Sequence, residues 1–125
     1  NTIEIFGDPK EARRNIMRIV TDSSTVADPK DPDRCNVYAL YKLFATEAER
    51  EEMAARYRAG GMGYGEVKKA LSAKFEEHFA PFRSRREELQ KNPDHVESIL
   101  RSGAERARAE AEKTLRAARR AVGLD

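Results

Sequence analysis

Residues Tyr57 to Leu89 read YRAGGMGYGEVKKALSAKFEEHFAPFRSRREEL, and this stretch decides the fold. Gly60 and Gly61 are predicted to end the helix before it, because glycine adopts a left-handed helix stop without strain. Residues 62–65 form a tight connector. Beyond it, apolar side chains recur every three or four residues, which predicts one long helix over 66–91. These side chains are Val67, Leu71, Phe75, His78, Phe82 and Leu89.

The glycines of this stretch are interpreted as a structural turn. A phosphate-binding loop would need a strand before it and a lysine–serine ending, whereas here a helix precedes and Glu66 follows. A helix stop followed by a sharp turn is therefore the favoured reading. The residues assigned to this turn are Gly60, Gly61, Gly63 and Gly65.

The first helix of the chain is predicted from its start signals. Asp8 can cap it, Pro9 suits the first helical position, and Glu11 completes a capping box. We expect this helix to reach about Val20, followed by an ordered loop over 21–33 that is rich in Asp, Ser and Pro. The side chains expected to face inward are Ala12, Ile16, Ile19 and Val20.

Three further helices follow from similar signals. A short apolar helix is predicted over 36–45, and a second capping box, between Thr46 and Glu49, opens a helix over 46–58. The last helix is predicted over 93–121. Small residues in the middle of its apolar face would allow close packing against a neighbouring helix.

These elements give an all-α fold, an irregular bundle of about five helices built around the long helix and the last one. Pro81 lies inside the long helix, where proline removes a backbone donor, so we expect a bend near residues 77–81. We divide the chain into a connector with the first helix and its loop over 1–33, and a helical bundle over 34–125.

Composition excludes several classes of protein. Hydrophobic residues make up 39% and charged residues 37%, which indicates a helix-rich globular domain and leaves no apolar run of membrane-spanning length. The net charge of +2 is too small to indicate nucleic acid by itself, so any contact with a polyanion must come from a local basic surface. The single cysteine, Cys35, excludes an internal disulfide and fits a reducing compartment.

No set of residues predicts catalysis or metal binding. His78 lies on the apolar face of the long helix and is interpreted as a core histidine, and His95 as a surface residue. Cys35 precedes an apolar helix, which favours a buried thiol over a nucleophile.

A basic and aromatic stripe runs along the long helix. At 100° per residue, one sector bordering the apolar face holds Lys68, Phe75, Phe79, Arg83 and Arg86. Cations bind phosphates, and aromatic or guanidinium planes stack on unpaired bases, so the stripe could bind a single-stranded RNA loop. The alternative is that the phenylalanines belong to the core and the arginines pair with neighbouring glutamates.

Sequence motifs resemble one enzyme family. Val20-Thr21-Asp22-Ser23 looks like the VTDS box of bacterial tryptophanyl-tRNA synthetases, and 31–37 (DPDRCNV) with 38–44 (YALYKLF) looks like the segment that follows it. The glycine turn, the helix start at 65–71 (GEVKKAL) and the proline–aromatic–Arg step at 81–83 resemble the anticodon-binding domain of these class I enzymes. The resemblance covers nearly the whole chain in the right order.

The resemblance implies the C-terminal part of a tryptophan–tRNA ligase, beginning at Asn1 where the KMSKS loop ends. Among the stripe's candidate tRNA contacts, Lys68, Phe79, Arg83 and Arg86, it favours contact by at least Arg83 and Arg86. The expected partners are tRNA(Trp) and the catalytic Rossmann domain, with no DNA and no membrane. The full-length family enzyme uses ATP and magnesium. Both nucleotide-binding loops are missing here, so we expect this fragment to need no cofactor and to have no catalytic activity alone. The expected location of the protein is the cytoplasm.

Two alternatives remain open from the sequence. The glycine-turn helix is shared with tyrosyl-tRNA synthetases, although the VTDS and DPDRCNV segments argue against that family. A helical protein-interaction module, whose amphipathic helices bind a protein rather than RNA, would show the same periodicity. Binding to phosphates weakens steeply as salt rises, which separates this last possibility from RNA recognition.

Overall fold

The computed structural model describes residues 2–124 and is all-helical over that range. Five α-helices and one short 3-10 turn (Pro32–Arg34) follow one another, with no strand among the described residues. The helices are α1 (Pro9–Met17), α2 (Asn36–Tyr41), α3 (Glu47–Ala59), α4 (Tyr64–Gln90) and α5 (Pro93–Ala121). This confirms the all-α prediction with five helices.

The chain divides into two compact units, residues 1–83 and 84–125, and the division falls within α4. The first unit contains α1, α2, α3 and most of α4, and the second contains the end of α4 and all of α5. The predicted division into a connector over 1–33 and a helical bundle over 34–125 is a different one, and it stays a prediction.

The core lies in the first unit and is lined by apolar faces of α1 to α4. Its largest fully buried side chains are Tyr57, Ile16, Leu71, Val37 and Val67. Three tyrosines of this core lie against one another: the ring centroids of Tyr38 and Tyr57 are 5.5 Å apart, and those of Tyr38 and Tyr41 are 6.5 Å apart. Because aromatic rings bury large areas, the contact between Tyr38 and Tyr57 helps to hold α2 against α3.

Helix α1 starts as predicted but ends earlier. Asp8 caps it by accepting a hydrogen bond from the Lys10 backbone at 2.9 Å, while Glu11 instead lies 3.6 Å from Arg14. The helix ends at Met17, so the prediction that Val20 faces inward is wrong and its side chain is 83% exposed. Ala12 and Ile16 are buried, as the spacing predicted.

The capping box of α3 is present in full. Thr46 Oγ1 accepts from the Glu49 backbone at 3.4 Å, and Glu49 Oε2 accepts from the Thr46 backbone at 2.8 Å. Lys74 on α4 lies 2.6 Å from the other Glu49 oxygen. The hydrogen bonds from Lys74 and Thr46 lower the pKa of Glu49 to about 2. One carboxylate thus caps α3 and joins it to α4.

Helix α3 ends at a glycine with a positive φ. Gly60 has φ 77° and ψ −174°, so it has the expected sign of φ but not the helical ψ of a left-handed stop. A side chain at this position would lie 2.6 Å from the Ala27 carbonyl oxygen, in the loop between α1 and α2. Glycine is therefore required here for two reasons, the backbone conformation and the close approach of the loop.

The glycine turn is shorter than predicted, and Gly63 and Gly65 differ in backbone conformation from Gly60 and Gly61. Gly65 was assigned to the turn, and this is wrong because α4 begins at Tyr64 and includes Gly65 in its first turn. Gly63 directly precedes the helix, and neither Gly63 nor Gly65 has the positive φ found at Gly60 and Gly61.

The early start of α4 comes from hydrogen bonds between Gly63 and Glu66. The Gly63 amide donates to Glu66 Oε1 at 3.4 Å, and the Glu66 amide donates to the Gly63 carbonyl oxygen at 3.0 Å. These bonds occupy backbone groups that the start of a helix leaves without partners. A side chain at Gly63 would meet Val26 at an ordinary 3.5 Å, and one at Gly65 would have no atom within 4 Å. The space around these two positions therefore does not require glycine.

Helix α4 continues through Pro81 to Gln90 as one helix, and the bend expected near Pro81 stays a prediction. Burial is confined to the first half of the helix, at Val67, Leu71, Ser72 and Phe75.

In the second unit, α5 is a 29-residue helix with no buried residue. Most of its apolar side chains are exposed, whereas Val96 and Gly103 are half-buried. The close packing expected at the small residues stays a prediction.

Candidate nucleic-acid interface

The stripe predicted on α4 is divided between the two units. Lys68, Phe79 and Arg83 belong to the first unit and Arg86 to the second. Arg86 is exposed. Lys68, Phe79 and Arg83 make contacts within the first unit, and these contacts determine how each could meet a ligand. The packing of Phe79 and the pairing of Arg83 with a glutamate agree with the alternative interpretation of the stripe.

Lys68 contacts the end of α1. Its ammonium donates to the Met17 carbonyl oxygen at 3.3 Å, and its side chain is half-buried. The Met17 carbonyl is one of the last in α1, where helix carbonyls lack intrahelical donors and attract cations. This hydrogen bond is long, so an anion could compete for the ammonium.

Phe79 is one of a group of rings at the edge of the core. Its centroid lies 4.8 Å from Phe75, 5.7 Å from Phe44 and 4.8 Å from His78. Edge-to-face and tilted contacts of this kind fix a ring in place. Phe79 therefore packs partly as a core residue.

Arg83 is the most constrained of the predicted contacts. Its Nε donates to the Ile5 carbonyl oxygen at 2.7 Å, and its Nη1 lies 2.6 Å from Glu76 Oε2. Only 14% of its side chain is exposed, and Nη2 is buried with no hydrogen-bond partner. The guanidinium also lies 5.7 Å from the Phe75 ring. Binding of RNA phosphate by Arg83 would require it to leave these protein partners.

Two exposed rings were missed by the sequence analysis. His78 was predicted to be a core histidine, and this is wrong because its side chain is exposed. Phe82 is 54% exposed and its ring lies 5.8 Å from that of His78. The periodicity of α4 placed both on the apolar face but gave no sign that the core ends near Phe75. These rings are accessible for stacking, whereas Phe79 is only partly so.

The loop between α1 and α2 is fixed by a buried lysine. The Lys30 side chain donates to the carbonyl oxygens of Thr25 at 2.6 Å and Asp28 at 2.9 Å. Its ammonium also lies 5.5 Å from the ring of Tyr64. Its backbone amide donates to the Tyr57 carbonyl at the end of α3. A buried ammonium with this many acceptors holds the loop in one conformation.

Tyr64 joins the start of α4 to the same loop. Its hydroxyl donates to Asp22 Oδ1 at 2.9 Å, and Asp22 also accepts from the Ser24 backbone at 2.9 Å. Burial and the bond to Asp22 raise the pKa of Tyr64 to about 12, and the bonds from Ser24 and Tyr64 lower the pKa of Asp22. The VTDS segment is thus bound to the residue that follows the glycine turn.

Across residues 2–124, no three His, Cys, Asp or Glu side chains lie close enough together to hold a metal ion. None of the helices described is both long and apolar enough to cross a membrane.

The comparisons with known proteins identify one group of relatives. Tryptophan–tRNA ligase from Rhodopirellula baltica is 54% identical over 124 residues, and the same enzyme from Campylobacter jejuni is 38% identical over 124 residues. Each match includes 99% of this chain and 39% of the relative, so the chain spans well under half of their length. No family model matches the chain.

The structural comparison agrees. The crystal structure of Campylobacter jejuni tryptophanyl-tRNA synthetase in complex with ADP and tryptophan matches with a TM-score of 0.88 at 38% identity. The match includes 99% of this chain and 39% of that protein. The chain corresponds to the C-terminal part of the bacterial tryptophanyl-tRNA synthetases.

Proposed function

We propose that this chain, as the C-terminal part of a bacterial tryptophan–tRNA ligase, recognises the anticodon loop of tRNA(Trp). One observation carries the proposal, namely that similarity to these enzymes extends over 99% of the chain at 54% identity. Such continuous similarity favours the same role over that of an unrelated helical module. Tyrosyl-tRNA synthetases are disfavoured by the same comparison.

Activation of tryptophan belongs to the part of the enzyme outside this chain. ATP and magnesium would bind in that catalytic Rossmann part, and this chain supplies no nucleotide loop. The chain's partners would be tRNA(Trp) and the catalytic part of the same cytoplasmic enzyme. Its task is to hold the anticodon loop while the acceptor end reaches the other part.

The candidate contacts on α4 differ in what RNA binding would cost them. Arg86 is exposed, so it need not leave a buried position to meet a phosphate. Lys68 would give up one long hydrogen bond, whereas Arg83 would give up a half-buried ion pair with Glu76 and the bond to Ile5. Phe79 is half-buried against three other rings, which limits the area it can offer to a base. We therefore rank Lys68 and Arg86 above Phe79 and Arg83 as contacts.

The experiment uses matched pairs of variants in the full-length ligase that carries this chain. Lys68→Ala is paired with Lys69→Ala, and Arg86→Ala with Arg85→Ala, so that each pair removes the same charge from neighbouring positions. We expect the first member of each pair to weaken binding of a tRNA(Trp) anticodon stem-loop. It should also reduce the slope of log affinity against log salt by about one unit per lost phosphate contact.

A stem-loop with a scrambled loop sequence serves as the specificity control and should bind more weakly. Arg83→Ala is left out because it would disturb the fold whether or not Arg83 touches RNA. Equal loss in both members of each pair would mean a general charge effect. Equal affinity for the two stem-loops, with all variants like the parent, would overturn the proposal in favour of a protein-interaction module.

A further inference from the structure

Residues 2–7 lead into α1 without regular secondary structure and belong to the first unit. Ile3 and Ile5 are half-buried and pack against the buried core of that unit. The Asn15 side chain donates to the Thr2 carbonyl oxygen at 3.5 Å, a distance at which a hydrogen bond is weak. These contacts by themselves would hold the segment only loosely, because a segment with few buried contacts opens easily.

Arg83, which lies 78 residues after Ile5, joins this segment to α4. Its Nε donates to the Ile5 carbonyl oxygen at 2.7 Å, and its Nη1 donates to Glu76 Oε2 at 2.6 Å. Its guanidinium also lies 5.7 Å from the centroid of the Phe75 ring, which belongs to the core. All four residues belong to the first unit. One planar group thus holds the segment, a turn of α4 and a core ring in a fixed relation to one another.

An arginine at position 83 is costly if its role is stability alone. Its side chain is 14% exposed, and Nη2 is buried with no hydrogen-bond partner among the described residues. A buried donor without an acceptor costs free energy, which an apolar side chain of similar size would avoid. What arginine offers is a rigid fork, whose donors reach two acceptors at a fixed angle. Lysine carries the same charge but has one ammonium on a flexible stem.

The segment held by Arg83 is also the connection to the rest of the relatives' length. The chain corresponds to the C-terminal part of the bacterial tryptophanyl-tRNA synthetases, so their preceding part is joined through residues 2–7. Because an extended chain spans about 3.3–3.6 Å per residue, release of this segment would add up to about 20 Å of slack to the connection.

We infer that Arg83 is a positioning residue for the charging of tRNA, an inference that rests on the proposed function. By holding the Ile5 carbonyl against α4, it fixes the point at which this chain is joined to the catalytic part. The anticodon loop and the acceptor end belong to one tRNA, so the parts that bind them must be held at a set distance. Arg83 acts through the Ile5 backbone, and this role needs no contact with RNA.

The test compares Arg83→Lys with Arg85→Lys in the full-length ligase. Both substitutions keep the positive charge, and Arg85 is the control because its pair with Glu88 is exposed on both sides. We expect Arg83→Lys to lower kcat/KM for charging of whole tRNA(Trp) about tenfold or more, since a small misplacement far from the chemistry is costly. Tryptophan-dependent pyrophosphate exchange and affinity for the anticodon stem-loop should stay unchanged, because each needs one part alone. Arg85→Lys should change none of the three.

Amide hydrogen exchange in the same proteins separates release of the segment from a change of fold. Arg83→Lys should speed exchange at residues 3–7 and leave the amides around Leu71 as slow as in the parent. If the Leu71 amides also exchange faster, the comparison passes to Glu76→Gln, which loosens the guanidinium without removing it. Glu76→Gln should also lower the charging rate, and a parent-like rate in that variant would overturn the inference.

Two other results would contradict the inference. Charging by Arg83→Lys at the parent's rate would show that the contact with Ile5 is not needed. An equal loss of stem-loop affinity and of charging would make Arg83 a direct RNA contact. Failure of the proposed function would look different, because the parent would then bind the native and scrambled stem-loops equally. Exchange at residues 3–7 and charging of whole tRNA would still report on Arg83→Lys in that case.

Discussion

The two units of the chain differ in how they use the same kind of helix. In the first unit, the apolar faces of α1 to α4 meet one another, and every buried hydrophobic side chain of residues 2–124 lies there. In the second unit, α5 is just as clearly amphipathic but buries none of its residues. Periodicity therefore identifies an apolar face in both units but does not tell how deeply its side chains are buried.

The sharpest test of this difference is a pair of leucine truncations in the 125-residue chain. Leu71→Ala removes a side chain that is 1% exposed and should cost about 2–5 kcal/mol of unfolding free energy, through lost burial and a cavity. Leu115→Ala removes one that is 52% exposed and should cost about 0.5 kcal/mol or less. Denaturant unfolding followed by circular dichroism measures both, and similar costs would contradict the contrast between the units.

A smaller effect is expected at the end of α3, where the loop approaches Gly60. Gly60→Ala should cost about 1–3 kcal/mol from backbone strain alone, with the clash against Ala27 added. Gly61→Ala is the matched control, since Gly61 has the same φ of 77° but no atom within 4 Å of a new side chain. Thermal unfolding should rank Gly60→Ala well below Gly61→Ala. Equal destabilisation would mean that the loop does not constrain this turn.

The smallest effect concerns the pH dependence of stability, which should arise in the first unit. The bonds from Lys74 and Thr46 lower the pKa of Glu49 from 4.5 to about 2, so Glu49 stabilises the fold above pH 4.5. This contribution is lost as the pH falls towards 2. Lys74→Met should make the acid-induced loss of stability less steep between pH 5 and 2.

The control is Lys113→Met in α5, whose pair with Glu110 is exposed on both sides and should add little to stability. Urea unfolding at several pH values gives the two slopes. If Lys74→Met and Lys113→Met changed the slope by the same amount, the Glu49–Lys74 contact would contribute no more to the pH dependence of stability than an exposed pair.

Much of the fold was predictable because its signals are local. The Thr46–Glu49 capping box, the glycine stop after α3 and the starts at Pro9 and Pro93 each depend on a few neighbouring residues. The end of α1 was not predictable in the same way. Apolar spacing continues through Ile19 and Val20 after the helix has stopped at Met17, and no glycine or proline marks that stop.

The start of α4 was misplaced for a related reason. Glycine is a poor helix former, so Gly65 argued for a turn that continued to the residue before Glu66. The bonds between Glu66 and Gly63 stabilise the first turn of the helix nevertheless, and Gly65 is included in it. Residue type alone thus marked the turn but not its last residue.

The candidate site was less predictable because its contacts join distant parts of the chain. The position of Arg83 on a helix face could be read from the sequence, but its bond to the Ile5 carbonyl, 78 residues earlier, could not. His78 was misjudged because periodicity shows which face of α4 is apolar but not where along the helix the core ends. Whether Lys68, Phe79, Arg83 and Arg86 bind RNA stays a prediction.

Cys35 and Tyr57 form a buried pair, and the reactivity of the Cys35 thiol can report when the core of the first unit opens. The Cys35 sulfur lies 3.2 Å from the Tyr57 hydroxyl, and both residues belong to the core of the first unit. Burial and the bond to Cys35 raise the pKa of Tyr57, so its hydroxyl stays protonated at any ordinary pH. Since Cys35 is the single thiol, a thiol-specific reagent can label the chain only during moments when this core opens. The labelling rate would then measure how often the core opens, without any engineered probe.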